Sequence, residues 1–431
     1  MQAGAAGLLS TVGVSSRVWS SGSEGYSGKC LVTLQLDGGA DVTQLCDPKV
    51  NTPGEPKINN WADWADPGQA GNILYAPVAD NEWLFNRFGA DMLVVNGVDA
   101  QTNSHETGRL FNWTGSNAEG KPSMSALHAA FNSPDQPLAY TVFGGTNRTS
   151  GIVGYNRFSN LQKLESLAQP RNKTAEQLQR SEEEFRKIDF LVGEDFSRLW
   201  TRESINPRFR HSLERYDAAR RNRDAFKPLA NILPSSSELQ GLELFKQGDY
   251  QIRDDLKAQM QGALLVLKSG LGSAADLSFQ GFDTHENHDL RHEELFFRVA
   301  DAIGYFWDYA EELGIAERIM LVIGSDFGRT NFYNDGEGKD HWPVGSYIIM
   351  EKNAPWGNRV VGVTDDLHFA QRIDPTTLKE SRDGVLITPA HVHQAVQEYL
   401  GLDQYARDIG LSLSGVESLP LFDASLQTVG S

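Results

Sequence analysis

The feature that most constrains this chain is a repeated punctuation: short apolar runs that stop on an acid, a hydroxyl or a glycine. The runs at 30–36, 92–96, 277–279, 319–323, 346–350 and 360–363 are too short for buried helices and rich in Val, Ile and Leu. They read as strands covered on both faces. Helical periodicity lies between many of them. Over 289–313, Leu290, Leu295, Phe296, Val299, Ile303, Phe306 and Tyr309 follow one helix face. A second helix is predicted over 389–400, with Thr388 as cap, Pro389 in the first turn and Gly401 at the end. Strand and helix in alternation predict an α/β fold: a mostly parallel central sheet with helices on both faces.

The 431 residues exceed the roughly 250–300 at which a single core stops growing. Residues 159–230 are charged, helix-rich and poor in strand signals, and read as a helical insertion or lid. The α/β domain then comprises 29–158 and 231–431. Residues 1–28 stand apart. The stretch QAGAAGLLSTVGV is small, apolar and uncharged, and Ser/Gly-rich sequence follows. It reads as the apolar part of an export signal, similar to the segment behind the paired arginines of twin-arginine signals, or else as a mobile tail. The export reading implies a periplasmic or extracellular protein. No apolar run is long enough to span a membrane. A net charge of −18 without a basic run argues against nucleic acid as a partner. Cys30 opens a strand and Cys46 lies beyond its far end. A disulfide would require the chain to double back about 20 Å, so unpaired thiols are the simpler reading.

Functional groups of parallel α/β sheets gather at the carboxyl ends of strands. Four loops here meet that condition. LVTLQLDGG ends on Asp37. MLVVNGVDAQTNSHETGRL brings Ser104, His105 and Arg109 to a helix start, where amide groups favour an anion. LSFQGFDTHENH carries Asp283, His285 and His288. IGSDFGRTNFYNDGEGKDHWP carries Asp326, Arg329, Asp340 and His341. Taken singly, a strand-end Asp is a cap and a lone His is structural. Four acid-bearing loops gathered at one edge would force carboxylates together unless a cation lay between them. Asp and His ligands suit one or two divalent ions among zinc, manganese, magnesium and calcium, without a thiolate.

The ordered set DGG, NSHETG, DTHENH, SDFGRT and GKDHWP resembles the secreted domain-of-unknown-function 1501 family. That family lies within the alkaline phosphatase, sulfatase and phosphoglycerate mutase superfamily. The closing ITPAHVHQAVQEYLGL is similar to the family's last helix. The resemblance implies a metal-dependent hydrolase of phosphate or sulfate esters, acting on a small molecule or a polysaccharide. It puts Ser104, followed by His105, at the nucleophile position. It makes Asp37, Asp283, His285 or His288, Asp326, Asp340 and His341 metal ligands, and Arg329 or Arg109 a clamp for the transferring anion. Phe327 stands where active phosphatases of the superfamily place a histidine, and the third loop spaces its ligands Asp-x-His. CDPKV at 46–50 lacks the arginine of a formylglycine motif, which excludes that type of sulfatase. The alternative is a non-catalytic binding or assembly protein that keeps the fold with a degenerate metal site.

Overall fold

A computed structural model of the chain describes residues 25–168, 182–202, 206, 209–210, 213, 225–247, 250–413 and 415–426. The segment read as an export signal therefore lies, up to residue 24, outside the described residues. By internal contacts the chain divides into residues 24–172 with 226–431, and residues 1–23 with 173–225. In the smaller unit the principal described element is the helix Glu182–Trp200. The ends of the expected insertion belong elsewhere. Leu161, Leu164 and Leu229 are buried in the main core of the larger unit.

That unit is built on an eight-stranded sheet. Its strands are β1 (Cys30–Asp37), β2 (Met92–Asp99), β3 (Tyr140–Val142), β4 (Asn156–Arg157), β5 (Ala274–Gln280), β6 (Ile319–Ser325), β7 (Val344–Glu351) and β8 (Arg359–Val361). The spatial order is β8-β2-β7-β6-β1-β5-β3-β4. β1 pairs in parallel with β6 and β5, and only β7 runs against its neighbours β6 and β2. The expected mostly parallel sheet is present. β3 and β4 were not foreseen, since so short a strand carries almost no periodicity.

Apolar residues at successive strand positions supply two cores, because successive side chains leave a strand on opposite faces. Val32, Leu34, Leu321, Ile323 and Val94 enter one core with the helices α3 (Leu256–Lys268) and α4 (His288–Glu312). Leu31, Met320, Val322, Leu93 and Val95 enter the other with α2 (Met124–Asn132) and α5 (Pro389–Tyr399). Each such buried Leu, Ile or Val contributes about 1.5–3 kcal/mol. Both cysteines are buried and free.

The reversed strand positions the chemistry. β6 ends at the carboxyl edge, and antiparallel β7 begins at that same edge. The connecting residues 326–343 need no crossover helix and remain over the strand ends. A short ribbon of Gly328–Arg329 against His341–Trp342 closes this loop on itself. α1 (His105–Thr114) starts at the same edge, after β2.

Candidate active site

β1 and β6 are joined where both end. Asp326, fully buried, accepts Gly38 N at 3.0 Å and Gly39 N at 2.7 Å on Oδ1. Ser325 Oγ donates to Leu36 O at 2.6 Å. Gly38 adopts φ 118°, and a Cβ there would lie 2.4 Å from the Asp283 amide, so only glycine admits the third loop this closely. Gly108 serves α1 in the same way: a Cβ would meet Asp326 O at 2.4 Å.

Three histidines converge on Asp283, each with its Nδ1 already engaged. His105 Nδ1 donates to Asp326 Oδ2 at 2.5 Å. His285 Nδ1 donates to Asp340 Oδ1 at 2.6 Å. His341 Nδ1 donates to the Asn103 carbonyl at 2.8 Å. An imidazole that donates from Nδ1 presents a lone pair at Nε2, the arrangement by which carboxylates and carbonyls orient metal-binding histidines. All three Nε2 atoms face inward. His285 Nε2 and His341 Nε2 lie 3.1 Å apart. They lie 3.0 and 3.2 Å from Asp283 Oδ1, and His105 Nε2 lies 3.5 Å from Asp283 Oδ2. His105 Nε2 is buried and has no hydrogen-bond partner. The potential ligand atoms of His105, Asp283 and His341 all lie within 4.8 Å of one another. Lone pairs and a carboxylate aimed at one point repel unless protons or a cation lie between them. This donor set, two imidazoles and one carboxylate with His285 Nε2 beside it, fits a divalent transition metal or zinc.

The arginines divide the remaining work. Arg329 is fully buried and spends its donors on the carbonyls of Gly39, Lys339 and Gly38 and on Asp283 Oδ1 at 2.7 Å. Four of its five N–H donors are taken and the side chain is fully buried, so in the structure it holds the loops together. Burial alone would raise the Asp283 carboxyl, but the Arg329 hydrogen bond and charge outweigh it and bring the group down to about 2. Arg109 is partly exposed and donates from Nε to Asp37 Oδ1 at 2.9 Å, with Asp326 Oδ2 at 4.0 Å. Burial pushes Asp37 up to about 6, against the pull of Arg109.

Several of the ligands expected from sequence have protein partners in the structure. Asp326 has both oxygens occupied and supports His105. Asp340 supports His285. Asp37 is the ion-pair partner of Arg109. His288 belongs to a different cluster altogether: Nε2 donates to Asp41 Oδ2 at 2.9 Å and Nδ1 meets Thr284 Oγ1 at 2.7 Å, all of it buried. Lys339 Nζ reaches the same Asp41 oxygen at 2.6 Å. His292 completes this cluster, with Nε2 accepting Asp41 N at 3.0 Å and Nδ1 meeting Thr284 Oγ1 at 2.9 Å. His105, placed beside the nucleophile from sequence, is a candidate ligand itself. Ser104 is exposed and is the N-cap of α1, yet its side chain makes no capping bond. Asn103 was missed because a backbone carbonyl leaves no trace in composition. Lys339 sat inside a quoted motif and Asp41 two residues beyond another, but only the fold shows that they meet.

A family model covers residues 29–408, which include every residue of this site. The chain belongs to the DUF1501 family, described as a protein of unknown function. No curated protein sequence matches it. Among solved structures, this DUF1501 chain is similar to a putative sulfatase from Bacteroides fragilis, with 9% identity, TM-score 0.41 and coverage of 95% of this chain and 80% of that one. It is similar to a sulfatase from Pseudoalteromonas sp., with 10% identity, TM-score 0.39 and coverage of 94% and 73%. It is also similar to alkaline phosphatase from the Antarctic bacterium TAB5, with 9% identity, TM-score 0.31 and coverage of 78% and 94%. What this DUF1501 site does therefore rests on its own residues.

Proposed function

We propose that this DUF1501 protein is a metal-dependent hydrolase of phosphate or sulfate esters. One observation carries the reading: the ligand atoms of His105, His341 and Asp283 lie within 4.8 Å of one another, His285 Nε2 lies 3.0 Å from Asp283 Oδ1, and every Nδ1 is engaged elsewhere. A non-catalytic scaffold has no use for imidazole nitrogens crowded against one carboxylate at the edge of a sheet, with His105 Nε2 left without a partner. His105, His285, His341 and Asp283 would hold a divalent ion. Such an ion supplies Lewis-acid charge beside the oxygens of a transferring phosphoryl or sulfuryl group.

The chain's own groups do the rest. The first amides of α1 are not used by the helix and point toward the edge where Ser104 sits. Arg109 binds Asp37 through Nε and keeps its Nη groups for an anionic oxygen. The Ser104 hydroxyl forms a bond to phosphorus or sulfur as the ester oxygen leaves with a proton. Water then cleaves the serine ester and restores the hydroxyl. If Ser104 only positions the substrate, water attacks directly.

The test is elemental analysis of the full chain after exposure to zinc, manganese, magnesium or calcium, paired with turnover of 4-nitrophenyl phosphate, bis(4-nitrophenyl) phosphate and 4-nitrophenyl sulfate. We expect about one divalent ion per chain or more, and turnover that a chelator removes and metal restores. Failure to bind any of these ions on titration would end the reading. Ser104→Ala decides the route: loss of turnover supports serine attack, and full retention assigns the attack to water.

A further inference from the structure

A cleft of about 640 Å³ lies beside the histidine cluster, beyond the ends of β1, β5, β3 and β4. Its volume falls in the range of small-molecule sites. Asp37 and Arg109 form its wall nearest the cluster, and Arg157, Arg253 and Arg291 also line it. Four guanidinium groups around one cleft are unexpected in a chain of net charge −18. The two acids that line it do not balance them. Asp37 is already paired with Arg109, and Asp255, which accepts Gln259 Nε2 at 2.7 Å, leaves two guanidinium groups in excess. Among the described residues, Arg157, Arg253 and Arg291 form no ion pair with a carboxylate.

Each of the three is held or supplied by a different element. Arg157 Nη2 donates to Gly145 O at 2.9 Å and Asn147 Oδ1 at 3.3 Å, which fixes it against the glycine turn after β3. Arg291 lies 4.2 Å from the centre of the Tyr250 ring and donates from Nη2 to the Asp283 carbonyl at 3.4 Å. Arg253 is exposed on the strand Tyr250–Asp254, which pairs antiparallel with Glu243–Gln247 and sets it opposite Leu244. Two further lining groups lack partners. Trp113 Nε1 and Thr146 Oγ1 are buried in the wall with no hydrogen bond, and Trp113 is 2% exposed. Buried donors without partners are costly. Like charges gathered without a counterion are costly too. The cost of gathered charge vanishes if an anion with several acceptor oxygens occupies the cleft.

We infer that this cleft is a subsite for a second anionic group of the substrate, so that the ester hydrolysed is a polyanion with at least one further sulfate, phosphate or carboxylate beside the scissile one. Arg109 and Arg291 connect the two places, the first through Asp37 and the second through the backbone of Asp283. The inference rests on the hydrolase reading above, and its test does not require turnover.

Titration calorimetry of the chelated full chain with sucrose octasulfate, inositol hexakisphosphate and plain sucrose tests it. We expect either polyanion to bind, plain sucrose not to bind, and affinity to fall as salt rises. The two polyanions distinguish a sulfate-bearing from a phosphate-bearing substrate. Arg157→Ala combined with Arg253→Ala should weaken binding at least about tenfold, as expected for lost charge-assisted hydrogen bonds. Arg148→Ala, whose partner Glu119 is outside the cleft, should leave binding unchanged. A circular-dichroism melt confirms that each variant is folded. Equal affinity for sucrose and its octasulfate, or full affinity in the double variant, would overturn the proposal. Polyanion binding without aryl-ester turnover would retain the subsite and remove the hydrolase, and the converse result would do the reverse.

Discussion

Two aspartate–histidine clusters lie back to back in this molecule, and they differ in where their hydrogen bonds lead. Around Asp41 the bonds close a ring. Asp41 N–H donates to His292 Nε2, so His292 Nδ1–H donates to Thr284 Oγ1, the Thr284 hydroxyl donates to His288 Nδ1, and His288 Nε2–H returns to Asp41 Oδ2. Lys339 supplies the balancing charge from inside the chain. Every lone pair is used, and every member is buried. Around Asp283 the Nδ1 bonds lead outward, to Asp326, Asp340 and Asn103, while inward the Nε2 atoms of His285 and His341 meet only each other and Asp283, and that of His105 meets no partner. Residue type does not separate the two clusters. Hydrogen-bond direction does, and it makes one a strut and the other a receptor. The same stretch feeds both, with Asp283 and His285 in the open cluster and Thr284 in the closed one.

The comparison breaks most severely if the closed cluster tolerates loss of its cation. Lys339→Met leaves Asp41 buried without its ammonium partner, and removing one member of a buried pair costs about 3–5 kcal/mol. Urea unfolding of the chelated protein should show that loss. A change below about 1 kcal/mol would mean that Asp41 is not held as described. His341→Ala is the counterpart in the open cluster. It should leave the urea midpoint of the chelated protein nearly unchanged while weakening metal binding by more than the roughly 100-fold that bounds an orienting partner. Equal stability losses in both variants would erase the distinction. Asp340→Asn is milder: His285 keeps its ring but loses its acceptor charge, so metal affinity should fall about 10–100-fold.

Much of this was legible in the sequence, for identifiable reasons. Long strands such as Ile319–Ser325 announce themselves because both faces are buried, and the strand-end rule then places Asp37, Asp283 and Asp326 at one edge. The helix at 389–399 was readable from its cap and proline, and its His391 proved to be part of the capping box. What sequence could not supply was the orientation of each side chain. Asp326 looks like a ligand until Gly38, Gly39 and His105 are seen to take both its oxygens. His285 and His288 look equivalent until a left-handed Asn287 starts the helix at His288, where that ring meets Asp41. Arg329 looks like a clamp until three carbonyls and a carboxylate are seen to take four of its five donors in a buried position. The arginine cleft had no signature, since Arg109, Arg157, Arg253 and Arg291 come from four separate segments.

The smallest expected effect concerns protons in the closed ring. Burial pushes the His292 imidazole well below its ordinary value, and the neighbouring His288 ring acts in the same sense. The ring of hydrogen bonds also requires His292 to be neutral, with its proton on Nδ1. An unfolded histidine takes up a proton near pH 6.5. Between that pH and the depressed folded value, the unfolded state binds the extra proton and the folded state does not. His292 therefore withdraws stability as pH falls below about 6.5, and has no such effect above it. Asp41, held well below the ordinary carboxylate value by Lys339 and His288 despite its burial, adds its own loss only at lower pH. Imidazole nitrogen shifts of histidine-labelled, chelated protein report the proton directly. The His292 signals should keep the neutral Nδ1–H pattern from pH 7 to pH 5. An imidazolium signature for His292 at pH 6 would open the ring, and with it the claim that only the Asp283 cluster has lone pairs to offer a cation.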